Sequence, residues 1–410
     1  MAQKNDGIVT RGKISRRGLL TAASASLLPM PAIAQSAQAP GVTSSEILVG
    51  QTMPYSGPAS SYAPIGRTEA AFFSWVNEQG GVNGRKIKLL SLDDGYSPPK
   101  TVEMTRRMVE QDEIAFTFSQ LGTPTVTAAR KYLNQKKVPQ LFVATGATQF
   151  GDRENFPWTI GWQPTYQVEG RVYAKYLLAQ KPNAKIAMLT QNDDSGKDYL
   201  KGFKDGLGQA ASQIVLATTY EVSDATIDSQ VVQLHDSGAD TVFMTGIPKF
   251  GAMGIRKIFD LGWKPLYFLS SVASSVISGI NPAGPEKAVG IITSAYLKDP
   301  SDPQWLLDPA YIEWLAFMKK YYPEGDTLDI SNVYGYSAAQ TLVAALKQCG
   351  NELSRDNIMK QATSLSLNLP MFQPGVDFQT RPDNYYGIKK LRLQRFDGKA
   401  WVPFGPAVGA

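Results

Sequence analysis

From Glu46 onward, short apolar, β-prone runs alternate with longer stretches whose apolar residues recur at helical spacing. Glu46 to Met53 predicts a first strand that ends at Pro54. A loop rich in Ser, Gly and Pro follows to Ser61, then a helix with Ala70, Phe72, Phe73 and Val76 on its apolar positions, stopped after Gln79 by Gly80-Gly81. Arg85 to Leu92 predicts a strand, Thr101 to Glu110 a helix, Ile114 to Phe118 a strand, and Val138 to Val143 another. Between the last two, Thr123-Pro124 marks a helix start, with threonine as N-cap and proline at the first helical position. The rhythm restarts after Trp162, with helices over Tyr166 to Ala179, Lys197 to Leu207, Thr226 to Ser237 and Phe250 to Leu261. Strands are expected at Lys185 to Thr190, Ile214 to Tyr220, Thr241 to Met244 and Leu266 to Leu269. Helices Pro309 to Tyr321 and Ser331 to Gln348 come next, and a hairpin of Tyr386 to Phe396 and Trp401 to Phe404 turns about Asp397-Gly398. This alternation belongs to parallel sheets, and its two blocks predict an α/β chain with two doubly wound lobes.

In an open parallel sheet the ligand crevice lies outside the carboxyl ends of the strands. Those ends carry Pro54 to Tyr62, Asp93 to Pro98, Ser119 to Thr123 and Ala144 to Thr148 in the first block. In the second they carry Gln191 to Gly196, Thr245 to Pro248 and Ser270 to Ser275. The segments are small and hydroxyl-rich, and two such rims facing each other make a cleft. The helix expected from Thr123 would point unpaired N–H groups and the positive end of its dipole at that cleft, which suits a carboxylate.

Length and charge narrow the class. At 410 residues, 43% hydrophobic and 19% charged, the chain is a globular protein with room for two cores. Its net charge is +5, but residues 1–34 hold Lys4, Arg11, Lys13, Arg16 and Arg17 against Asp6 and so carry +4, leaving about +1 for the rest. No basic surface for nucleic acid is indicated. The same leading block has Arg16-Arg17 before an apolar run from Gly18 to Met30, then Ala32-Ile33-Ala34 in the small-x-small form of a cleavage site. It is expected to be an export signal of twin-arginine-like or Sec type, cut after Ala34, with 35–44 as a linker. The apolar run is too short to span a bilayer, so no membrane insertion is expected.

The usual catalytic equipment is missing. The one histidine, His235, falls on the polar side of its helix, and the one cysteine, Cys349, has no partner for a disulfide. No cofactor, no metal site and no enzyme activity are expected, because the dinucleotide, phosphate-loop and nucleophile-elbow motifs are absent. Asp93-Asp94 and Asp193-Asp194 fit turn caps better than an acid/base pair or a Ca²⁺ site.

Taken in order, ILVGQTMPYSGPASSYAPIGR, GGVNGRKIKLLSLDDGYSPPK, FSQLGTPT, VPQLFVATGAT and QNDDSGKDYLKGFKDGL resemble the Leu/Ile/Val-binding group of ABC-transporter periplasmic solute-binding proteins. The resemblance runs from about Glu46 to the C-terminus. It implies a type I periplasmic binding fold, with lobe 1 over 45–162 plus 296–365 and lobe 2 over 163–295 plus 366–410. Three hinge crossovers would fall near Trp162, near Ala295 and between Leu365 and Asp383. It also implies an inner-membrane ABC permease as partner and no catalysis. Family ligand contacts carry over to Tyr62, Thr123, Ala144, Thr145 and Gly146. The remaining expected contacts are Leu121 and Gly122 beside Thr123, the rim residues Ser195, Gly246, Ser270 and Ser271, and Tyr166 and Tyr334, which with Tyr62 would sandwich a ring.

Two departures from the family pattern bear on the ligand. The place of the acid that grips an amino acid's ammonium falls in the uncharged Ser270-Ser271-Val272, and a tyrosine of the NDD loop is Ser195 here. Tyr96 and Gly122 occupy the places of a disulfide found in some amino-acid binders. A buried ammonium without a counter-charge is costly, so the expected ligand is an aromatic or other organic acid. The alternatives are a branched-chain amino acid, a module presenting its ligand to a sensor, and a secreted α/β hydrolase.

Overall fold

The computed structural model of the protein describes Met1, residues 5–7 and residues 38–409. Apart from Met1 and 5–7, the expected export segment and its cleavage point lie outside the described residues, as do 35–37 of the linker.

Strands β1 (Glu46–Met53), β2 (Lys86–Asp93), β3 (Phe116–Phe118), β4 (Gln140–Val143) and β5 (Thr159–Gly161) form a parallel sheet in the order β2-β1-β3-β4-β5. Helices α1 (Ala63–Glu78), α2 (Pro98–Glu110) and α3 (Thr123–Gln135) make the crossovers. Every residue of β3 and β4 is buried, because helices cover both faces of a parallel sheet. Helix α4 (Tyr166–Gln180) leads into the second block: β6 (Ile186–Gln191), α5 (Asp194–Leu207), β7 (Ile214–Tyr220), α6 (Asp228–Asp236), β8 (Thr241–Met244), α7 (Pro248–Asp260), β9 (Leu266–Leu269), the one-turn α8 (Asn281–Ala283) and β10 (Ile292–Ala295).

The chain then returns to the first sheet's neighbourhood. Helices α9 (Pro309–Tyr321), α10 (Ile330–Cys349) and α11 (Arg355–Ala362) follow, and α10 packs on α1. Phe72 and Tyr336 meet edge to face at 5.1 Å between centroids, and the Thr68 hydroxyl donates to Asn332 Oδ1 at 2.8 Å. A two-strand pair, β11 (Ser366–Leu367) with β12 (Phe378–Gln379), precedes the closing strands β13 (Lys390–Phe396) and β14 (Trp401–Gly409). These join the second sheet, whose order is β14-β13-β10-β9-β8-β6-β7.

The structure corrects the sequence reading at several points. The second sheet is mixed, because β13 runs antiparallel to both β10 and β14. Strand β14 continues through Pro403 and Pro406 to Gly409, past the expected stop at Phe404. As the outermost strand it tolerates residues that cannot donate to a ladder. Strand β5, three residues long, was too short to show a period. Helix α5 begins before Lys197, where the Asp193 carboxylate accepts from the N–H groups of Ser195 and Gly196 at 2.9 and 3.1 Å.

The cap of α3 is also shifted by one residue. Gly122, not Thr123, is the N-cap, at φ 100°, a value that favours glycine. A Cβ there would sit 2.4 Å from the Tyr96 ring. Thr123 is therefore the first helical residue, and its side chain makes no capping bond. No helix among the described residues is long and apolar enough to cross a membrane.

Candidate functional site

A cavity of about 110 Å³ lies where the carboxyl ends of the two sheets face each other. This is several times the space one water needs. The loops after β1, β2, β3 and β4 bring Tyr62, Tyr96, Leu121, Gly122, Thr123 and Ala144 to it. The second block brings Ser195, Tyr199, Gly246 and Ser271, and the chain passages between the sheets bring Gln163, Tyr166, Tyr296 and Asp299. The start of α10 adds Ser331 and Tyr334, and β13 adds Gln394.

Of the residues expected from sequence, Tyr62, Leu121, Gly122, Thr123, Ala144, Tyr166, Ser195, Gly246, Ser271 and Tyr334 line this cavity. Thr145, Gly146 and Ser270 stand behind it. The Thr145 hydroxyl lies 2.6 Å from that of Thr123 and accepts from the Ala147 N–H at 3.2 Å. The Gly146 carbonyl accepts from the Tyr166 N–H at 2.8 Å, and a Cβ on Gly146 would press on the Tyr166 ring at 2.7 Å. Ser270 is fully buried, and its hydroxyl accepts from the Gly246 N–H at 3.4 Å.

The walls are tyrosine. Tyr166 and Tyr199 stack at 4.4 Å with 22° between planes, and Tyr62, Tyr96, Tyr296 and Tyr334 add further rings. Burial raises the phenol pKa of each, that of Tyr166 to about 12, so all six are neutral donors at neutral pH. Tyr62 donates to the Val272 carbonyl at 2.7 Å and so ties the first sheet's rim to the second's. Tyr334 donates to Gln163 Oε1 at 3.2 Å.

Among the described residues no Lys, Arg or His lines the cavity. An anion there must rely on neutral donors and helix starts. Two of those starts are already occupied, since Asp193 caps α5 and Asp329 caps α10. The start of α3 has no side-chain cap, which leaves Thr123 and the first-turn amides available.

Two acids were missed by the sequence reading. Glu169 lies directly behind Ser271, buried, with Oε1 accepting from the Tyr173 hydroxyl (2.8 Å) and the Ser271 N–H (2.7 Å). Its Oε2 accepts from the hydroxyls of Ser271 (2.8 Å) and Tyr199 (3.3 Å). Burial raises its pKa while these four donors oppose the shift. Its oxygens are spent on the protein. Asp299 is different: it is 4% exposed and lines the cavity, and its Oδ1 accepts from the Ser301 N–H (2.9 Å) and hydroxyl (2.5 Å). Burial pushes its carboxyl up to about 6, against the two Ser301 bonds and with the charges of Asp302 and Asp329 adding to the rise.

Tyr199 had a legible signal, since it stands four residues from Ser195 on α5 and shares its face. Asp299 and Gln394 had none. They reach the cavity only because the chain passes from one sheet to the other. His235 pairs with Asp236 at 2.9 Å, far along α6, and the paired loop aspartates cap turns. Among the described residues no group of three or more metal-ligating side chains is placed to hold an ion.

Comparison with known proteins accords with this architecture. The model of a family described as periplasmic binding protein matches residues 46–400. A Leu/Ile/Val-binding protein homolog 1 from Brucella abortus is 25% identical over 320 residues, covering 75% of this chain and 79% of the relative. A branched chain amino acid ABC transporter structure from Thermus thermophilus with bound valine superposes with a TM-score of 0.79 at 16% identity, covering 90% of this chain and 98% of that one. An ABC transporter solute binding protein from R. palustris in complex with benzoate gives 0.74 at 22% identity, covering 89% and 98%. These likenesses establish the type I periplasmic binding fold.

Proposed function

Because the chain belongs to the periplasmic binding protein family, we propose that its cleft captures a small organic acid, aromatic acids foremost, for delivery to an inner-membrane ABC permease. The family binds solutes and does not turn them over. The observation that carries the ligand reading is Thr123, which stands at the uncapped start of α3 in a tyrosine-walled cavity without cations. A carboxylate at Thr123 and a flat apolar body between the rings would satisfy both features. Valine and benzoate, the ligands of the two structural neighbours, both carry a carboxylate.

In this reading 45–162 with 296–365 form one lobe and 163–295 with 366–410 the other, hinged at the three passages between the sheets. The packing of α10 on α1 supports that division. Closure is a population shift: the ligand favours the closed form only by touching both lobes. The leading segment delivers the protein to the periplasm by the twin-arginine or Sec route. Ser270, Ser271 and Val272 are uncharged and Glu169 already accepts four bonds, so a branched-chain amino acid would have Asp299 alone among the described lining carboxylates to pair with its ammonium.

A thermal-shift screen of the chain from Gln35, against amino acids, aliphatic and dicarboxylic acids, benzoates and cinnamates, tests this. A ligand at a hundred times its Kd adds about 2.7 kcal/mol of stability. Hits among monocarboxylic organic acids are expected. Hits confined to leucine, isoleucine and valine would contradict the organic-acid preference.

A further inference from the structure

We infer that Asp299 is the specificity-determining residue of the cleft: it accepts a hydrogen bond from an O–H or N–H group on the ligand, so the preferred organic acid carries a hydroxyl or amino donor. This rests on the carboxylate reading above and adds a second polar anchor to it.

Three observations converge. Asp299 is more than nine-tenths buried and lines the cavity, and both of its bonds from the protein fall on Oδ1, so among the described residues nothing donates to Oδ2. Two further lining residues, Ser294 and Gln394, each 2% exposed, have buried oxygens without a partner: Ser294 Oγ and Gln394 Oε1. They sit on the paired strands β10 and β13, where Thr293 lies opposite Gln394 and Ser294 opposite Leu393. A bare ring or alkyl chain would leave Asp299 Oδ2 unpaired in this polar corner, whereas a donor-bearing ligand relieves that cost. A second carboxylate on the ligand would meet Asp299 with Asp302 and Asp329 nearby and no lining cation to offset them.

Titration calorimetry with matched acids tests the assignment. The wild-type probes are benzoate, the three hydroxybenzoates, 4-aminobenzoate, terephthalate, 4-hydroxybenzamide, and leucine against 4-methylpentanoate. At least one donor-bearing acid should bind about tenfold or more tighter than its donor-free partner, and terephthalate more weakly than benzoate. Asp299→Asn keeps an oxygen for Ser301 and places an amide N–H₂ where Oδ2 was. It should abolish the donor preference and improve terephthalate. Equal binding of donor-bearing and donor-free acids by the wild type, or an unchanged preference in D299N, would overturn the proposal. Should D299N fail to fold, the wild-type ratios decide alone. Asp299-dependent binding of leucine, or of 4-hydroxybenzamide as tightly as its acid, would support Asp299 while contradicting the organic-acid or carboxylate reading. No binding by any probe would overturn both.

Discussion

The hydroxyls of Thr123 and Thr145 stand 2.6 Å apart at the head of α3. Either can donate, and a carboxylate ligand fixes the direction: Thr145 donates to Thr123, and Thr123 donates to the ligand. Thr145 also contacts the Tyr166 hydroxyl at 3.5 Å, a much weaker competitor for its proton. Thr123→Val should therefore weaken organic-acid binding by about 1.5–3 kcal/mol, the worth of a hydrogen bond to a charged group. Thr145→Val, which removes the donor behind it and the acceptor of the Ala147 N–H but not the contacting hydroxyl, should cost binding less, about 0.5–1.5 kcal/mol. Calorimetry of both variants checks the order. A larger loss from Thr145 than from Thr123 would mean that Thr123 is not the contacting group.

Tyr62 reaches across the cleft to the Val272 carbonyl. Tyr62→Phe deletes that bond and keeps the ring. The closed form should lose about 0.5–1.5 kcal/mol relative to the open one. Ligand dissociation should then accelerate while association changes little, as stopped-flow measurements would show.

Gly246 takes φ 136°, and a Cβ on it would overlap the Tyr220 hydroxyl at 1.6 Å. Gly246→Ala should lower stability by about 1–3 kcal/mol through backbone strain and displacement of Tyr220. Adding Tyr220→Phe should recover only the steric part. Denaturant melts of the single and double variants give the comparison.

Glu69 is fully buried among Gln51, Ser119 and the core, and burial pushes its carboxyl from 4.5 up to about 8. The folded state thus prefers the protonated acid. Its contribution to stability is complete below pH 4.5 and is lost as pH rises toward and through about 8. Glu69→Gln removes this dependence. The variant should gain on the wild type as pH rises from 5 to 9, by a few kcal/mol at the top of that range. A stability difference that stays flat with pH would contradict a raised pKa.

Much of the architecture was legible because periodicity and punctuation agreed. Apolar runs such as Thr241–Met244 and Leu266–Leu269 became the expected strands, and the rim segments after the strands became cavity wall. What stayed hidden depends on contacts between distant segments. That the α3 cap at position 122 must be glycine follows from its φ of 100° and the close approach of Tyr96, which no local pattern announces. Tyr296, Asp299 and Gln394 come from segments whose only link to Thr123 is the return of the chain between sheets. Glu169 is the plainest case: nothing in the pattern of its helix singles it out, yet four donors from α4, α5 and the turn after β9 surround it.

The most direct test of carboxylate capture at Thr123 is a calorimetric comparison of benzoate, its hydroxylated forms and their carboxamides on the chain from Gln35. The amides keep the ring and one carbonyl acceptor, but exchange the charged oxygen for a neutral N–H₂ donor. Measurable binding by the acids, with the amides at least about tenfold weaker, is the expected result. Amides that bind as well as acids would show that the start of α3 does not hold a carboxylate.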